Sequence, residues 1–119
     1  MSIESRPWGG FEVLAESPLL KIKQLALHPG ARLSLQRHRL RREHWLLVEG
    51  LAEVEIDGTP RTLVPGESVD VPRGAWHRLA NIGAGALLMI EIQTGDGFDE
   101  ADIERAADDY GRVAPGAAS

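Results

Sequence analysis

Between Ser34 and Trp45 the chain reads "SLQRHRLRREHW", which holds an amide, two imidazoles, a carboxylate and four arginines in twelve positions. Only four histidines occur in the whole sequence, and two of them are here. Gln36 and His38 are two residues apart, so on an extended strand their side chains face the same way. Glu43 has the opposite parity to His38 and joins the pair only if the polar "RLRR" turns the chain. A third imidazole, His77, follows "VPRGAW", where Pro72 and Gly74 turn the backbone before the next strand. Two imidazoles, a carboxylate and an amide oxygen make a mixed nitrogen and oxygen set. Such a set suits zinc, manganese, iron, cobalt or nickel better than calcium or copper(I). Held on strands, it leaves positions open to water or substrate, as a catalytic metal requires.

The elements that must position these groups read as short strands cut by turns. "FEVLAES", "LLKIKQLALHPG", "LAEVEIDG", "TPRTLVPGESVDVPRG", "WHRLAN" and "ALLMIEIQTG" are separated by Pro, Gly and Asp-Gly signals. Asp57-Gly58 is a strong hairpin signal. Strands at this spacing, with no helical pattern between them, predict an all-β sandwich or barrel. One short helix is expected near the end, in "DEADIERAADDYG". Asp99 would cap it, and Ile103, Ala106, Ala107 and Tyr110 would share its buried face. The tail 113–119 is expected to fray.

Bulk properties narrow the function. The 119 residues suit one domain, 1–119, that buries roughly two-thirds of its unfolded surface. A net charge of −5 argues against nucleic acid as a partner, although the local arginines would suit a small anion. The absence of cysteine excludes disulfides and thiolate metal sites. No apolar run reaches the length of a membrane span and "MSIESRPWGG" has no signal-peptide core, so a cytoplasmic protein is expected.

Two wider patterns carry a resemblance. Gly30, five residues, Gln36, one, His38, four, Glu43, six, Gly50 resembles the first cupin motif, with Gln in its first histidine position. Gly66, five residues, Pro72, one, Gly74, two, His77, three, Asn81 resembles the second motif at every fixed position. The implied fold is a cupin (double-stranded β-helix, jelly-roll) barrel with a short C-terminal helix. "RPWG" at 6–9, "LSLQRHRLRREHW", "VPRGAWHRLAN" and "IEIQTGDGFDEADIERAADDYGR" are similar to the C-terminal cupin domain of type II phosphomannose isomerases. That domain usually follows a guanylyltransferase domain, so the expectation here is at most the isomerase half.

The resemblance implies that Gln36, His38, Glu43 and His77 hold a divalent metal, zinc first. It implies an aldose–ketose isomerase acting on mannose 6-phosphate and fructose 6-phosphate. For the proton-transfer base, Glu91 comes first, because Met89, Glu91 and Gln93 share a strand face opposite to Leu88, Ile90 and Ile92; His44 is second. For the phosphate, Arg41, Lys23 and Arg112 match family patterns, and Arg41 is preferred because a guanidinium grips phosphate with two bonds. The family tends to carry a further histidine where this chain has Leu40, which strand alternation would place on the face of His38. A non-catalytic metal- or sugar-binding cupin and a small oxygenase are the alternatives, because the fold hosts many chemistries. A homodimer is expected from the mixed faces of "HWLLV".

Overall fold

Turn-forming pairs cut the chain into short alternating runs, and in the computed structural model each of those runs carries one or more strands. The structure describes residues 3–99 and 101–111. In chain order the strands are β1 (Ile3–Arg6), β2 (Gly9–Glu16), β3 (Leu20–Leu27), β4 (Leu35–Arg37), β5 (Arg41–Glu49) and β6 (Ala52–Ile56). They continue with β7 (Thr59–Leu63), β8 (Ser68–Val71), β9 (His77–Asn81), β10 (Leu87–Gly95) and β11 (Glu104–Ala107). Asp57 and Gly58 take φ values of 46° and 82°, as a two-residue type I′ turn requires. They close the β6–β7 hairpin with Ile56 opposite Thr59.

The ladders are antiparallel and form two sheets. Six strands run in the order β1-β2-β3-β10-β5-β8 and five in the order β11-β4-β9-β6-β7. Strand β10 is central to the first sheet, with Glu91 opposite both Lys23 of β3 and Trp45 of β5. One buried apolar cluster draws on both sheets: Leu27, Trp45, Leu47 and Met89 from the first, Val54 and Leu79 from the second. Period-two alternation decides what enters it. On β5, Arg41, Glu43, Trp45 and Leu47 are buried while Arg42, Leu46 and Val48 are exposed. On β10, Leu87, Met89, Glu91 and Gln93 are buried, and Leu88, Ile90 and Ile92 take the outer, half-buried side.

The expected helix is not there: among the described residues no helix forms. Asp99 does cap in a sense, its carboxylate accepting from the Ala101 N–H at 2.8 Å, but the chain makes a single turn. Asp102 then accepts from the backbone N–H groups of Arg39 and Leu40, at 3.2 and 2.8 Å. Residues Glu104–Ala107 become β11 and pair with β4, Glu104 opposite Arg37 and Arg105 opposite Gln36. A helix this short has little stability of its own. The open edge of β4 offers ladder hydrogen bonds, and Arg37 forms an ion pair with Glu104. The tertiary pairing wins. No helix long and apolar enough to cross a membrane occurs among the described residues.

Candidate metal centre

Hydrogen bonding fixes which nitrogen each histidine presents. His38 follows β4, and its Nδ1–H donates to the carbonyl of Asp102 at 2.8 Å. His77 opens β9, and its Nδ1–H donates to the carbonyl of Ala75 at 2.9 Å. In both rings Nε2 is therefore left as a lone-pair donor, the arrangement that backbone carbonyls impose on metal-binding imidazoles. The Gly74 N–H donates to the His38 carbonyl at 2.8 Å, tying the two histidine-bearing segments together. Gly74 does this with φ at 76°, which favours glycine.

Glu43 reaches the same point from β5. Its Oε2 is 3.4 Å from His38 Nε2, and its Oε1 is 4.0 Å from His77 Nε2. The three ligand atoms all fall within 4.8 Å of one another, and all three residues are buried. Gln36 is opposite His77 in the β4–β9 pairing and lines the same cavity, with its amide buried. The turn at "RLRR" thus restores the parity that would have excluded Glu43.

The donors suit a divalent cation on this structure's own terms. His77 Nε2 is buried and has no hydrogen-bond partner among the described residues. Such an atom costs about 1–3 kcal/mol unless something occupies its lone pair. Burial alone would raise the Glu43 carboxyl, but His77, His38, Arg41 and the Trp45 N–H together hold it at about 2, so it stays ionised. Burial lowers His38, which keeps its ring neutral and ready to ligate. Two imidazoles and a carboxylate are a common zinc-type set.

Arg41 sits differently from the sequence expectation. Its Nε donates to Glu43 Oε2 at 2.9 Å, and its terminal nitrogen is 3.2 Å from His38 Nε2. With only 3% of the residue exposed, this guanidinium is committed to the metal ligands and not to the opening. Lys23 is likewise buried, its Nζ 4.3 Å from the centre of the Phe11 ring. Arg112 lies outside the described residues.

Glu91 lines the same cavity as Gln36, His38 and Glu43. Burial, reinforced by the charge of Glu43, pushes its carboxyl up to about 8. Gln93, on the same face, donates a hydrogen bond to Glu91 Oε1. His44 does not join them. Alternation turns it away from Glu43, and its Nδ1 pairs with Asp70 at 2.8 Å on the outer side of the sheet. From there it does not reach the cavity, and the expected role in proton transfer does not hold. Leu40 is also off the site: it falls in the turn before β5 and is 45% exposed, so the face of His38 does not extend to it.

Some of the supporting groups were legible in the sequence and others were not. Gln93 was visible in the polar row of β10. Asp102 had no signal, since its hold on His38 crosses 64 positions of sequence. Arg6 and Arg105 also line the cavity, from β1 and β11.

Against known proteins, the family model described as "Mannose-6-phosphate isomerase C-terminal" matches residues 2–108. The chain is 43% identical over 109 residues to the alginate biosynthesis protein AlgA of Pseudomonas aeruginosa, covering 92% of this chain and 23% of that protein. It is 42% identical over 108 residues to a mannose-1-phosphate guanylyltransferase of Escherichia coli K12, covering 91% of this chain and 23% of that one. The chain thus spans less than a quarter of the length of these relatives. Among solved structures, KdgF from Halomonas sp. superposes with a TM-score of 0.78 at 22% identity, over 85% of this chain and 93% of that one. An RmlC-like cupin from Shewanella frigidimarina gives 0.73 at 23% identity, over 79% and 83%. These likenesses establish the fold as a cupin barrel.

Proposed function

The chain belongs to the mannose-6-phosphate isomerase C-terminal family, and from that premise we propose that it is a metal-dependent isomerase of an aldose and a ketose phosphate. The substrate pair would be mannose 6-phosphate and fructose 6-phosphate. Gln36, His38, Glu43 and His77 would hold the divalent ion, zinc first. When bound, that ion would act as a Lewis acid on the sugar oxygens.

The protein's own groups supply the rest. Glu91 would take the proton from C2, the C–H electron pair becoming the C1–C2 double bond of an enediol as O1 gains a proton. The proton then returns to C1 as O2 gives up its own, leaving the ketose. A shuttling carboxyl works best with a pKa near the working pH, and burial has moved Glu91 toward it. Gln93 holds Glu91 Oε1 in place. Lys23, opposite Glu91 on the neighbouring strand, favours its ionised form once the proton leaves.

The observation that carries this reading is the presence of the His38, Glu43 and His77 donors and of Glu91 in one buried polar site. The test is formation of fructose 6-phosphate from mannose 6-phosphate by the purified chain, with zinc, manganese or cobalt added. Turnover that a chelator abolishes and metal restores is the expected result. A chain that binds metal and does not turn over would contradict the isomerase reading and leave a binding module.

A further inference from the structure

The four candidate ligands are not anchored alike. His77 is oriented by a carbonyl two residues away, and Glu43 by Arg41 and Trp45, each two residues away on its own strand. His38 is instead oriented by the carbonyl of Asp102, 64 positions away, and Gln36 is opposite Arg105 in the β11–β4 pairing. Residues 101–110 follow this half of the site from end to end. Asp102 meets His38, Arg39 and Leu40, Glu104 meets Arg37, Arg105 meets Ser34, and Asp109 meets Arg32. We propose that this segment is a strap that presets the metal centre, with Asp102 as a positioning residue acting through His38. The inference rests on the metal reading of the site, but not on isomerase turnover.

Asp102 bonds to three consecutive residues. Its carbonyl accepts from His38 Nδ1–H at 2.8 Å, and its carboxylate accepts from the N–H groups of Arg39 and Leu40 at 3.2 and 2.8 Å. Those two donors lie in the turn between β4 and β5, where Asp102 supplies the acceptors that a ladder would otherwise provide. The carboxylate thus clamps the turn to the strap, and the clamp keeps the carbonyl within reach of the ring. An imidazole released from that carbonyl is free to carry its proton on Nε2, which removes the lone pair a metal needs. Fixing the tautomer and the ring in advance removes an ordering cost from metal binding.

The rest of the strap is fastened from outside. Arg32 grips Asp109 through Nε and Nη2 at 2.6 and 2.8 Å, with both side chains well exposed, and Arg37 pairs with Glu104 nearer the site. Tyr110 packs against the apolar cluster just beyond the Asp109 anchor. Exposed ion pairs are individually weak. The strap can therefore loosen while the closed core keeps the barrel folded. Metal affinity then depends on a segment that supplies none of the four candidate ligands. This assigns a task to β11 that a helix at that place would not perform.

The experiment takes the full, chelator-treated chain and reads two quantities. One is cobalt(II) affinity per folded molecule, from visible absorption; the other is the ring-nitrogen NMR shifts of the histidines without metal. In the parent, His38 and His77 are both expected to carry their proton on Nδ1. Asp102→Ala is expected to weaken cobalt binding about 10–100-fold and to lose the Nδ1–H signature at His38 alone. Asp102→Asn keeps one acceptor oxygen and should fall between that variant and the parent. Asp109→Ala, at the far anchor, should weaken binding about two- to fivefold. If Asp102→Ala does not fold, the other two variants carry the same readouts. Variants that bind cobalt as tightly as the parent, or that disturb His77 as much as His38, overturn the strap, as does a metal-free parent with the His38 proton on Nε2. A parent that takes up no cobalt sinks the metal reading, while the His38 tautomer still decides the role of Asp102. Cobalt binding without fructose 6-phosphate formation sinks the isomerase and keeps the strap.

Discussion

The two ends of one barrel interior, built from the same strands, have opposite chemistry. On β5, Arg41 and Glu43 occupy one end while Trp45 and Leu47 lead into the other. On β10, Gln93 and Glu91 are followed inward by Met89 and Leu87. Register locks these halves together: Gln93 faces Glu43, and Met89 faces both Leu47 and Leu25. The apolar end is a closed core whose side chains need nothing beyond contact. The polar end buries carboxylates and imidazoles that are expensive to desolvate, and it leaves His77 Nε2 and Gln93 Oε1 without hydrogen-bond partners among the described residues. Alternation decides only whether a residue points inward. Position along the strand decides whether it serves stability or chemistry.

Substitutions at each end should therefore separate activity from stability. The largest expected effect is at the polar end, where Glu91→Gln keeps the shape and removes the carboxyl proposed to shuttle the proton. The kcat of the proposed isomerase should fall about 10²–10⁴-fold while the circular dichroism spectrum stays unchanged. An equal loss of fold would break the division. At the apolar end, Leu47→Ala removes a fully buried side chain and should cost about 2–5 kcal/mol in urea unfolding. The metal bound per folded molecule should be unaltered.

A smaller effect comes from protonation in chelator-treated protein. The folded state raises Glu91 to about 8, so the advantage of holding it neutral is complete below the ordinary carboxylate pKa and is lost as pH rises through the folded value. Stability should accordingly decline between about pH 6.5 and pH 8, a window in which lowered His38 is neutral when folded. Glu91→Gln should flatten that slope in urea midpoints, and an unchanged slope would place the titrating group elsewhere. Least of all, His44→Ala on the outer face should move stability by roughly 0.5 kcal/mol or less and leave kcat unaltered.

Much of this organisation was legible in the sequence. Turn signals located the strands, because Pro, Gly and Asp-Gly act locally on backbone conformation. The inward row of β10 was legible too, although a rule that buries every aliphatic residue would have turned Ile90 and Ile92 inward instead. What failed was non-local. The acidic, alanine-rich segment after Asp99 has helical character by itself, and only the edge of β4 makes it a strand. Arg41 and Arg105 have the same side chain, and nothing nearby in sequence says that one is bound to Glu43 while the other reaches Ser34. Parity placed Leu40 on the face of His38, but Asp102 pins a turn there from a distant part of the chain.

The central claim is that one interior point, shared by His38, Glu43 and His77, takes a divalent cation. Cobalt(II) titration of the chelator-treated chain, followed by its visible absorption, tests this most directly. One equivalent with a ligand-field spectrum is expected for the parent, and strong loss of that binding for Glu43→Gln and His77→Ala. A parent chain that takes up no divalent ion, or variants that bind as well as the parent, would contradict it.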